Sequence, residues 1–255
     1  MQEIESITAL NDLRKHLNYR YFAIADKKNS SVKNAILSKY KISFSDELAI
    51  DKFGYRNILE VHVKVKYKTL VLFVNHWKSK AGAESNRIFS ARVLKKRLES
   101  LKSSSEYILL GDFNANYNEF TTFKKKRRLN DTNGITGINH ILKTIHNGKV
   151  VDWVTFTSQK TNQLLYNLWL EVSKENRWSH IYRSNRGTLD NMIISKTLAD
   201  GKGIEYKKSS FSHFAPDWLF YRRSINRWQI SRKQPRHHLL KGYSDHLPIY
   251  ADFSS

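Results

Sequence analysis

The sequence predicts an α/β fold in a single domain, and three observations support that prediction. Short apolar runs of strand type recur from residue 21 to residue 253, and amphipathic helical patterns lie among them. No internal repeat and no Pro-, Gly- or Ser-rich linker divides the 255 residues. The hydrophobic fraction of 40% is sufficient for a full core in a chain of this length. We therefore expect one domain that spans residues 1–255.

The individual elements follow from the spacing of apolar residues. Residues 8–17 place Leu10, Leu13 and Leu17 at helical spacing, and residues 85–101 form an apolar stripe opposite Lys and Arg side chains. Residues 121–148 are basic and then polar, which is typical of a loop or an irregular helix, and residues 200–242 show no clear period. Apolar runs predict strands at residues 21–25, 34–38, 58–65, 70–75, 107–110, 151–156, 189–195 and 247–253.

The charge balance indicates the kind of partner. Lys and Arg number 44 against 23 Asp and Glu, so the formal net charge is +21 and the pI is near 10.0. This excess favours a polyanionic partner, most simply nucleic acid, with an anionic membrane surface second. The absence of Cys excludes a disulfide framework, a thiolate nucleophile and a Cys-containing zinc site. No apolar run approaches the ~20 residues that a membrane-spanning helix needs.

Two polar clusters adjoin predicted strands and contain candidate catalytic groups. Asp112 and Asn114 follow the run 107–110, and strand alternation points both side chains the same way. Together they suit a hard cation or a phosphate oxygen, although an Asx turn explains the same residues. Asp245 and His246 precede the run 247–253, where a carboxylate could tune a histidine base, although a surface turn is the simpler explanation for this pair alone.

Three further clusters occupy similar positions. His76 and Lys78 lie at the end of the run 70–75 and could donate hydrogen bonds to a phosphoryl group, unless the loop is merely solvated. Asp190 lies inside an otherwise apolar strand and therefore needs a partner, which a histidine would supply. Glu3 lies at the start of the chain and is a possible carboxylate ligand.

Together these clusters resemble, in order, the motifs of the endonuclease/exonuclease/phosphatase superfamily. The matching residues are Gln2-Glu3, Asn75-His76, the tetrapeptide 111–114, Leu189-Asp190 and the pentapeptide 244–248. The resemblance spans residue 2 to about residue 253, and residues 75–80 and 167–190 look most like bacterial, often exported, nuclease members. It implies a DNase I-like four-layer sandwich, in which two packed mixed β-sheets are flanked by helices.

The resemblance also implies roles for the residues that match each motif. Glu3 resembles the carboxylate ligand of the divalent metal, and Asp245 the acidic residue beside that metal. Asp112 and Asn114 resemble the pair that orients the attacking water and contacts the phosphate. His246 resembles the histidine next to the scissile phosphate.

Four further positions complete the expected site. Asp190 resembles the carboxylate that hydrogen-bonds the histidine at 246, and His76 resembles the second histidine of the DNase I branch. Arg56 occupies the place of a phosphate-contacting arginine in some members, and Glu47 is a possible partner of His76. Oxygen ligands suit Mg²⁺ or Mn²⁺ better than zinc. Either Asp112 or His246 could activate the water, and the sequence leaves both open.

Basic residues cluster in two places. The densest run is Lys124-Lys125-Lys126-Arg127-Arg128, and we expect it, with Arg56 and Lys78, to contact the substrate backbone rather than to be only a solvated loop. A second set of Arg and Lys residues between 222 and 236 is interleaved with Trp218, Tyr221 and Trp228. These aromatic rings could stack on unpaired bases, and core packing explains them equally well.

The start of the sequence departs from the family pattern. Members usually begin with a strand that supplies an active-site Asn upstream of the Gln-Glu motif, whereas only Met1 precedes Gln2 here. We therefore expect the reading frame to continue upstream, because Glu3 can bind metal only if its strand is held in register. The location would then be secreted or periplasmic if a signal peptide lies upstream, and cytoplasmic otherwise.

These observations predict a monomeric, metal-dependent nuclease. We expect it to hydrolyse phosphodiester bonds of DNA, or of RNA, with low sequence specificity and with Mg²⁺ or Mn²⁺ as cofactor. A phosphoinositide phosphatase or a sphingomyelinase-like phosphodiesterase of the same fold is the alternative enzyme. A non-catalytic nucleic-acid-binding relative is the alternative of another class, and the retained acidic and histidine residues argue against it.

Overall fold

The architecture comes from a computed structural model, in which a mixed six-stranded sheet organises the rest of the chain. The structure describes residues 1–28, 30–124, 126–159, 163–222, 224–234 and 237–255. The strands within these ranges are β1 (Tyr21–Ile24), β2 (Ala35–Ser38), β3 (Ile42–Leu48), β4 (Ile58–Val65), β5 (Lys68–His76), β6 (Glu106–Asp112), β7 (Ile145–His146), β8 (Lys149–Val150), β9 (Tyr166–Asn167), β10 (His180–Tyr182), β11 (Asn185–Gly187), β12 (Asp190–Ile194), β13 (Glu205–Tyr206), β14 (Ser212–His213), β15 (Phe220–Tyr221), β16 (Ser224–Ile225), β17 (Ile249–Tyr250) and β18 (Phe253–Ser254).

The helical segments are fewer and mostly short. The α-helices of the described ranges are α1 (Ile7–His16), α2 (Glu84–Glu99), α3 (Glu119–Thr122) and α4 (Trp153–Ser158). Single turns of π- or 3₁₀-helix occur at Gly137–Ile141, Leu168–Glu171, Lys174–Asn176, Lys196–Leu198 and Asp217–Leu219. None of the helices in these ranges has the length and apolar character that crossing a bilayer requires.

The strand order of the central sheet is β3-β4-β5-β6-β12-β9. Neighbours are antiparallel except β5 and β6, which are parallel and are joined by the crossover helix α2. In this register His76 lies opposite Asp112 on β6, and Asp112 lies opposite Asp190 on β12. Three predicted site residues therefore meet at one edge of the sheet.

Alternation along the strands gives the sheet two buried faces. On one face, Phe73, Leu109 and Ile193 pack with Leu94 of α2. Strand residues that point to the other face, such as Val61 and Val74, pack against the β1–β2 hairpin. The short antiparallel pairs β13–β18 and β14–β17 extend this second layer. The predicted α/β layering is thus present, with a second layer made of two-stranded pairs.

Most predicted elements are confirmed, and one predicted strand is wrong. The run 151–156 lies largely in helix α4, because Asp152 Oδ1 accepts a hydrogen bond from Thr155 N at 2.7 Å and caps that helix. Phe156 is buried there while Val154 is 73% exposed, which is helical rather than strand alternation. The run 247–253 is reduced to β17 and β18, because these pair with two different partners.

A buried tryptophan connects the core to the functional edge. Trp169 is fully buried, and its Nε1 donates a hydrogen bond to the backbone oxygen of Asp190 at 2.7 Å. We expect Trp169→Ala to lower the free energy of unfolding by about 3–5 kcal/mol, because it leaves a large cavity and an unpaired carbonyl. Urea denaturation measures this change. The exposed Val154→Ala is the control, and an equally small change in both variants would contradict the role assigned to Trp169.

Candidate active site

Asp112 occupies the centre of the site, and the backbone around it is tightly held. Trp77 N donates to Asp112 O at 2.9 Å, and Phe113 N donates to Leu189 O at 2.9 Å. The preceding Gly111 has φ of +119°, and a Cβ there would lie 2.2 Å from Asn75 O. Only glycine permits this close approach of β5 and β6. These backbone contacts therefore fix the position of the Asp112 carboxylate at the end of β6.

Asn114 is bonded directly to this carboxylate. Its backbone N donates to Asp112 Oδ1 at 2.7 Å, and its Nδ2 donates to Asp112 Oδ2 at 2.9 Å and to Trp77 O at 3.1 Å. Asn114 adopts φ of +47°, which asparagine tolerates better than most residues. The loop is thus an Asx turn that also presents two polar side chains, so the two interpretations of this tetrapeptide are compatible.

Asp190 and His246 form a close pair. His246 Nδ1 lies 2.6 Å from Asp190 Oδ2, and Ser179 Oγ donates to the same oxygen at 2.6 Å. The segment that contains His246 is attached through Leu247 N, which donates to Ser179 O at 2.7 Å, and through an antiparallel bridge between His180 and His246. The predicted partner of Asp190 is therefore present in the structure.

The first residues of the chain also reach the site. Ala35 N donates to Met1 O at 3.0 Å, and Ile4 forms an antiparallel bridge with Lys33. Glu3 adopts φ of +60° and is 56% exposed, and its Oε1 lies 4.0 Å from His76 Nε2. Asp112 Oδ2 lies 3.6 Å from the same nitrogen. His76 therefore lies between two carboxylates.

The predicted clusters converge on one cavity of about 150 Å³. Four carboxylates and two histidines from distant parts of the sequence meet there, which agrees with the prediction for these residues. The cavity is lined by Gln2, Glu3, His76, Asp112, Asp190, Ser244, Asp245 and His246.

The two histidines differ in protonation. Burial disfavours the charged form of His246, but the hydrogen bond and charge of Asp190, with Asp112 and Asp245, raise its pKa to about 9. Burial lowers the pKa of His76 to about 3, and the positive charge of Arg56 acts in the same direction. His246 is therefore a cation at neutral pH, and His76 is a neutral imidazole.

The central carboxylate is less acidic than usual. Burial and the neighbouring charge of Asp190 raise the pKa of Asp112 to about 7. Such a carboxyl gives up and takes back a proton near neutral pH, which is the property of a general base. A carboxylate of raised pKa beside a cationic histidine favours Asp112, rather than His246, as the general base.

The donor set suits a hard divalent cation. The cavity wall contains the carboxylates of Glu3, Asp112, Asp190 and Asp245, whose mutual repulsion a cation would relieve. Glu3 and Asp245 are the more exposed of these carboxylates, whereas Asp112 and Asp190 are buried and Asp190 is hydrogen-bonded to His246. Asp245 also groups with His180 and His246, with ligand atoms within 4.8 Å of one another.

The predicted substrate-binding residues lie around the cavity rather than in its wall. Arg56 is close enough to Glu3 and Asp112 for their charges to act on it, and its buried Nε has no hydrogen-bond partner among the described residues. Lys78 Nζ lies 5.1 Å from the centre of the Tyr55 ring, and Lys78 does not line the cavity. Glu47 is not a partner of His76, because it accepts hydrogen bonds from Asp26 N, Lys27 N and Asn57 Nδ2.

The basic run lies beside the loop that follows β5. Arg128 Nη2 donates to Ala81 O at 2.6 Å, and the charge of Lys126 acts on Lys80. Lys124, Lys126, Arg127 and Arg128 are exposed, and Lys125 lies outside the described residues. The described members of the run therefore form a solvent-facing basic surface beside the loop that follows β5.

Ser179 and His180 are site residues that the sequence did not single out. Ser179 is fully buried and orients Asp190, and the His180 ring centre lies 4.6 Å from that of His246. Burial and the positive charge of His246 lower the pKa of His180. Their sequence signal is their position, since Ser179 directly precedes β10 and His180 begins it, within the Trp178–His180 segment of the family-like region.

Comparisons with known proteins agree with this fold. The sequence model of the Endonuclease/Exonuclease/phosphatase family matches residues 28–153 and 147–254, so the chain belongs to that family. Members of the family are hydrolases that act on phosphoester bonds, and they generally use a divalent metal. No curated protein sequence matches the chain.

Solved structures confirm the DNase I-like fold. A humanized D. rerio TDP2 is 14% identical, with a TM-score of 0.61, over 100% of this chain and 84% of that chain. D. rerio TDP2 complexed with single-strand DNA product is 13% identical, with a TM-score of 0.59 and the same coverage. The mannosyl-6-phosphatase of Bacteroides thetaiotaomicron is 13% identical, with a TM-score of 0.58, over 100% and 84% of the two chains. At these identities the similarity shows the fold alone.

Proposed function

We propose that the chain is a divalent-metal-dependent nuclease that hydrolyses phosphodiester bonds of nucleic acid with low sequence specificity. The convergence of Glu3, Asp112, Asp190, Asp245 and His246 on one cavity is the observation that supports this proposal most. The cavity wall consists of acidic, imidazole and other polar side chains suited to metal and phosphate chemistry, and no apolar side chain among these lining residues forms a pocket for a base.

The residues divide the chemistry between a base and a cation. Asp112, with its raised pKa, takes the proton of the attacking water, and Asn114, which is outside the cavity wall, holds the Asp112 carboxylate in position. His246, held as an imidazolium by Asp190, lies across the cavity and stabilises the negative charge that develops on the phosphoryl oxygens. His76 is neutral and donates or accepts one hydrogen bond without adding charge.

Glu3 and Asp245 are the residues that would hold the metal. When bound, Mg²⁺ or Mn²⁺ supplies positive charge to the phosphate and to the leaving oxygen. Arg56 adds a fixed cation beside Glu3 and Asp112, and its positive charge would attract a phosphate in the cavity.

The basic surface supports a polymeric anion as substrate. The net charge of +21 exceeds what a small phosphoester requires, and the exposed residues Lys124, Lys126, Arg127 and Arg128 border the loop after β5. D. rerio TDP2, which has the same fold, has been solved with a single-strand DNA product, and this agrees with the proposal.

Neutralising the basic run tests substrate capture. We expect replacement of all five residues 124–128 by glutamine to raise KM for DNA and to flatten its salt dependence, because fewer counterions are released on binding. The measurement is KM at several salt concentrations. The matched control replaces Lys39, Lys41 and Lys66, which are exposed at the opposite end of the central sheet. An unchanged salt slope would show that the run is only a solvated loop.

A substrate panel tests the proposed activity itself. Purified chain with Mg²⁺ is incubated with supercoiled plasmid, linear duplex, single-stranded DNA, RNA, phosphoinositide, sphingomyelin and a sugar phosphate. Cleavage of nucleic acid that EDTA abolishes supports the proposal. Hydrolysis of a lipid or sugar phosphoester without nucleic-acid cleavage would assign the alternative enzyme, and no turnover of any substrate would indicate a non-catalytic relative.

A further inference from the structure

Three exposed aromatic rings form a row next to the catalytic histidine. Phe214, Trp218 and Tyr243 are 46%, 56% and 54% exposed. The ring centres of Phe214 and Trp218 are 6.1 Å apart, and those of Trp218 and Tyr243 are 5.2 Å apart, both with edge-on geometry. An edge-to-face contact covers at most one face of one ring, and about half of each side chain is exposed, so the rings can still stack on another planar group. The core-packing explanation for Trp218 is therefore wrong.

The row is held firmly by the segment that also holds the active site. Trp178, Leu219, Ile225 and Leu247 form a small buried cluster beneath it. Leu219 follows Trp218 directly, and Leu247 follows His246 directly. Phe214 N donates to Pro248 O at 2.7 Å, and Tyr243 N donates to Asn226 O at 2.7 Å. The rings thus have a fixed position relative to His246.

The surroundings of the row are strongly basic. Residues 214–243 contain seven Lys and Arg residues and one acidic residue, Asp217. The Arg222 guanidinium lies 5.2 Å from the Tyr221 ring centre, and Arg227 lies 5.8 Å from that of Trp228. The charge of Arg227 also acts on His180 in the active site. Alternating rings and cations can bind bases and phosphates at the same time.

We propose that Phe214, Trp218 and Tyr243 form a stacking subsite for unpaired bases of single-stranded nucleic acid. The inference rests on the proposed nuclease function, since the row would hold the strand whose phosphodiester enters the cavity. Bases in a duplex stack on one another and cannot cover these rings, so the subsite favours single strands or frayed ends. Stacking tolerates any base, which agrees with low sequence specificity.

A membrane surface is the competing occupant. Leu239 and Leu240 are 40% and 97% exposed in the same basic segment, and aromatic rings also bind at lipid interfaces. The row itself contains no aliphatic side chain and adjoins a phosphodiester-binding cavity, which favours nucleic acid. The experiment below therefore includes anionic vesicles.

Binding without cleavage tests this subsite. In EDTA, fluorescence anisotropy measures the affinity of the full chain for labelled oligo-dT, oligo-rU, an abasic strand of equal length and a blunt duplex. We expect Trp218→Ala and Tyr243→Ala each to weaken binding of oligo-dT and oligo-rU by about tenfold, with little effect on the abasic strand or the duplex. Trp218→Phe should retain most of the affinity. Tyr67→Ala, at the fully exposed β4–β5 turn, is the matched control.

Several outcomes would overturn the inference. The first is an oligonucleotide affinity that does not change in Trp218→Ala, and the second is an equal loss of affinity for abasic and intact strands. The third is binding to phosphatidylserine vesicles that depends on Trp218, together with oligonucleotide binding that does not depend on the bases. The outcome for the proposed function is separate. A chain that binds single strands through Trp218 but cleaves nothing contradicts the nuclease proposal alone, and a chain that cleaves DNA with unchanged binding in Trp218→Ala contradicts the stacking subsite alone.

Discussion

The His246→Ala variant is expected to lose turnover by a factor of about 10² or more in nucleic-acid hydrolysis while its fold remains intact. The physical reason is that the imidazolium, held by Asp190 at 2.6 Å, acts on charge that develops only in the transition state. Single-turnover cleavage of a labelled oligonucleotide measures the loss, and circular dichroism checks the fold. The control is His16→Ala, an exposed histidine at the end of α1.

The pH dependence gives an independent check on the same residue. The pKa of His246 is raised to about 9 from 6.5, so the wild-type rate should fall as pH increases through about 9. Because the folded state binds this proton more tightly than the unfolded chain, the protonated His246 stabilises the fold. Its contribution to the free energy of unfolding is complete below pH 6.5 and is lost as the pH rises through about 9. In Asp190→Asn the fall in rate should move to lower pH. An unmoved high-pH limb would contradict the role of Asp190.

The Asp112→Asn variant is expected to show a loss of similar size, again by a factor of about 10² or more, with a smaller change in KM. The amide preserves the shape of the side chain but cannot accept the water proton. The wild-type rate should also rise with pH through about 7, where burial and Asp190 place the pKa of Asp112, and the variant should lack this rise.

Two results would contradict the assignment of Asp112 as the base. One is near-normal turnover in a folded Asp112→Asn variant. The other is a low-pH limb that persists in this variant, which would assign the base to another group. The matched control is Asp12→Asn, because Asp12 is an exposed carboxylate on α1.

Much of the site could be predicted because its residues lie at strand ends. His76, Asp112 and Asp190 are each in a short polar motif next to an apolar run, and the sheet register aligns all three at one edge. Asp190 within an apolar strand required a partner on energetic grounds, and His246 is that partner.

The remaining features depend on contacts between segments that no local pattern encodes. Ser179 binds Asp190 from eleven positions away across a loop and shows no periodic signal. Glu47 was a reasonable partner for His76, but Asp26 N and Asn57 Nδ2 already occupy its oxygens. Contacts between distant segments decide both of these features. The run 151–156 differs, because a local helix cap from Asp152 overrides its strand-like apolar pattern.

The most direct test of the account compares two preparations in one assay. Cleavage of an end-labelled single-stranded oligonucleotide is followed as Mg²⁺ is titrated into wild-type chain and into Asp112→Asn. We predict hydrolysis by the wild type that rises with Mg²⁺ and stops in EDTA, and a rate lower by about 10²-fold or more in the variant at every Mg²⁺ concentration. Equal cleavage by the two chains, or cleavage that persists in EDTA, would contradict a metal-dependent phosphodiesterase centred on Asp112.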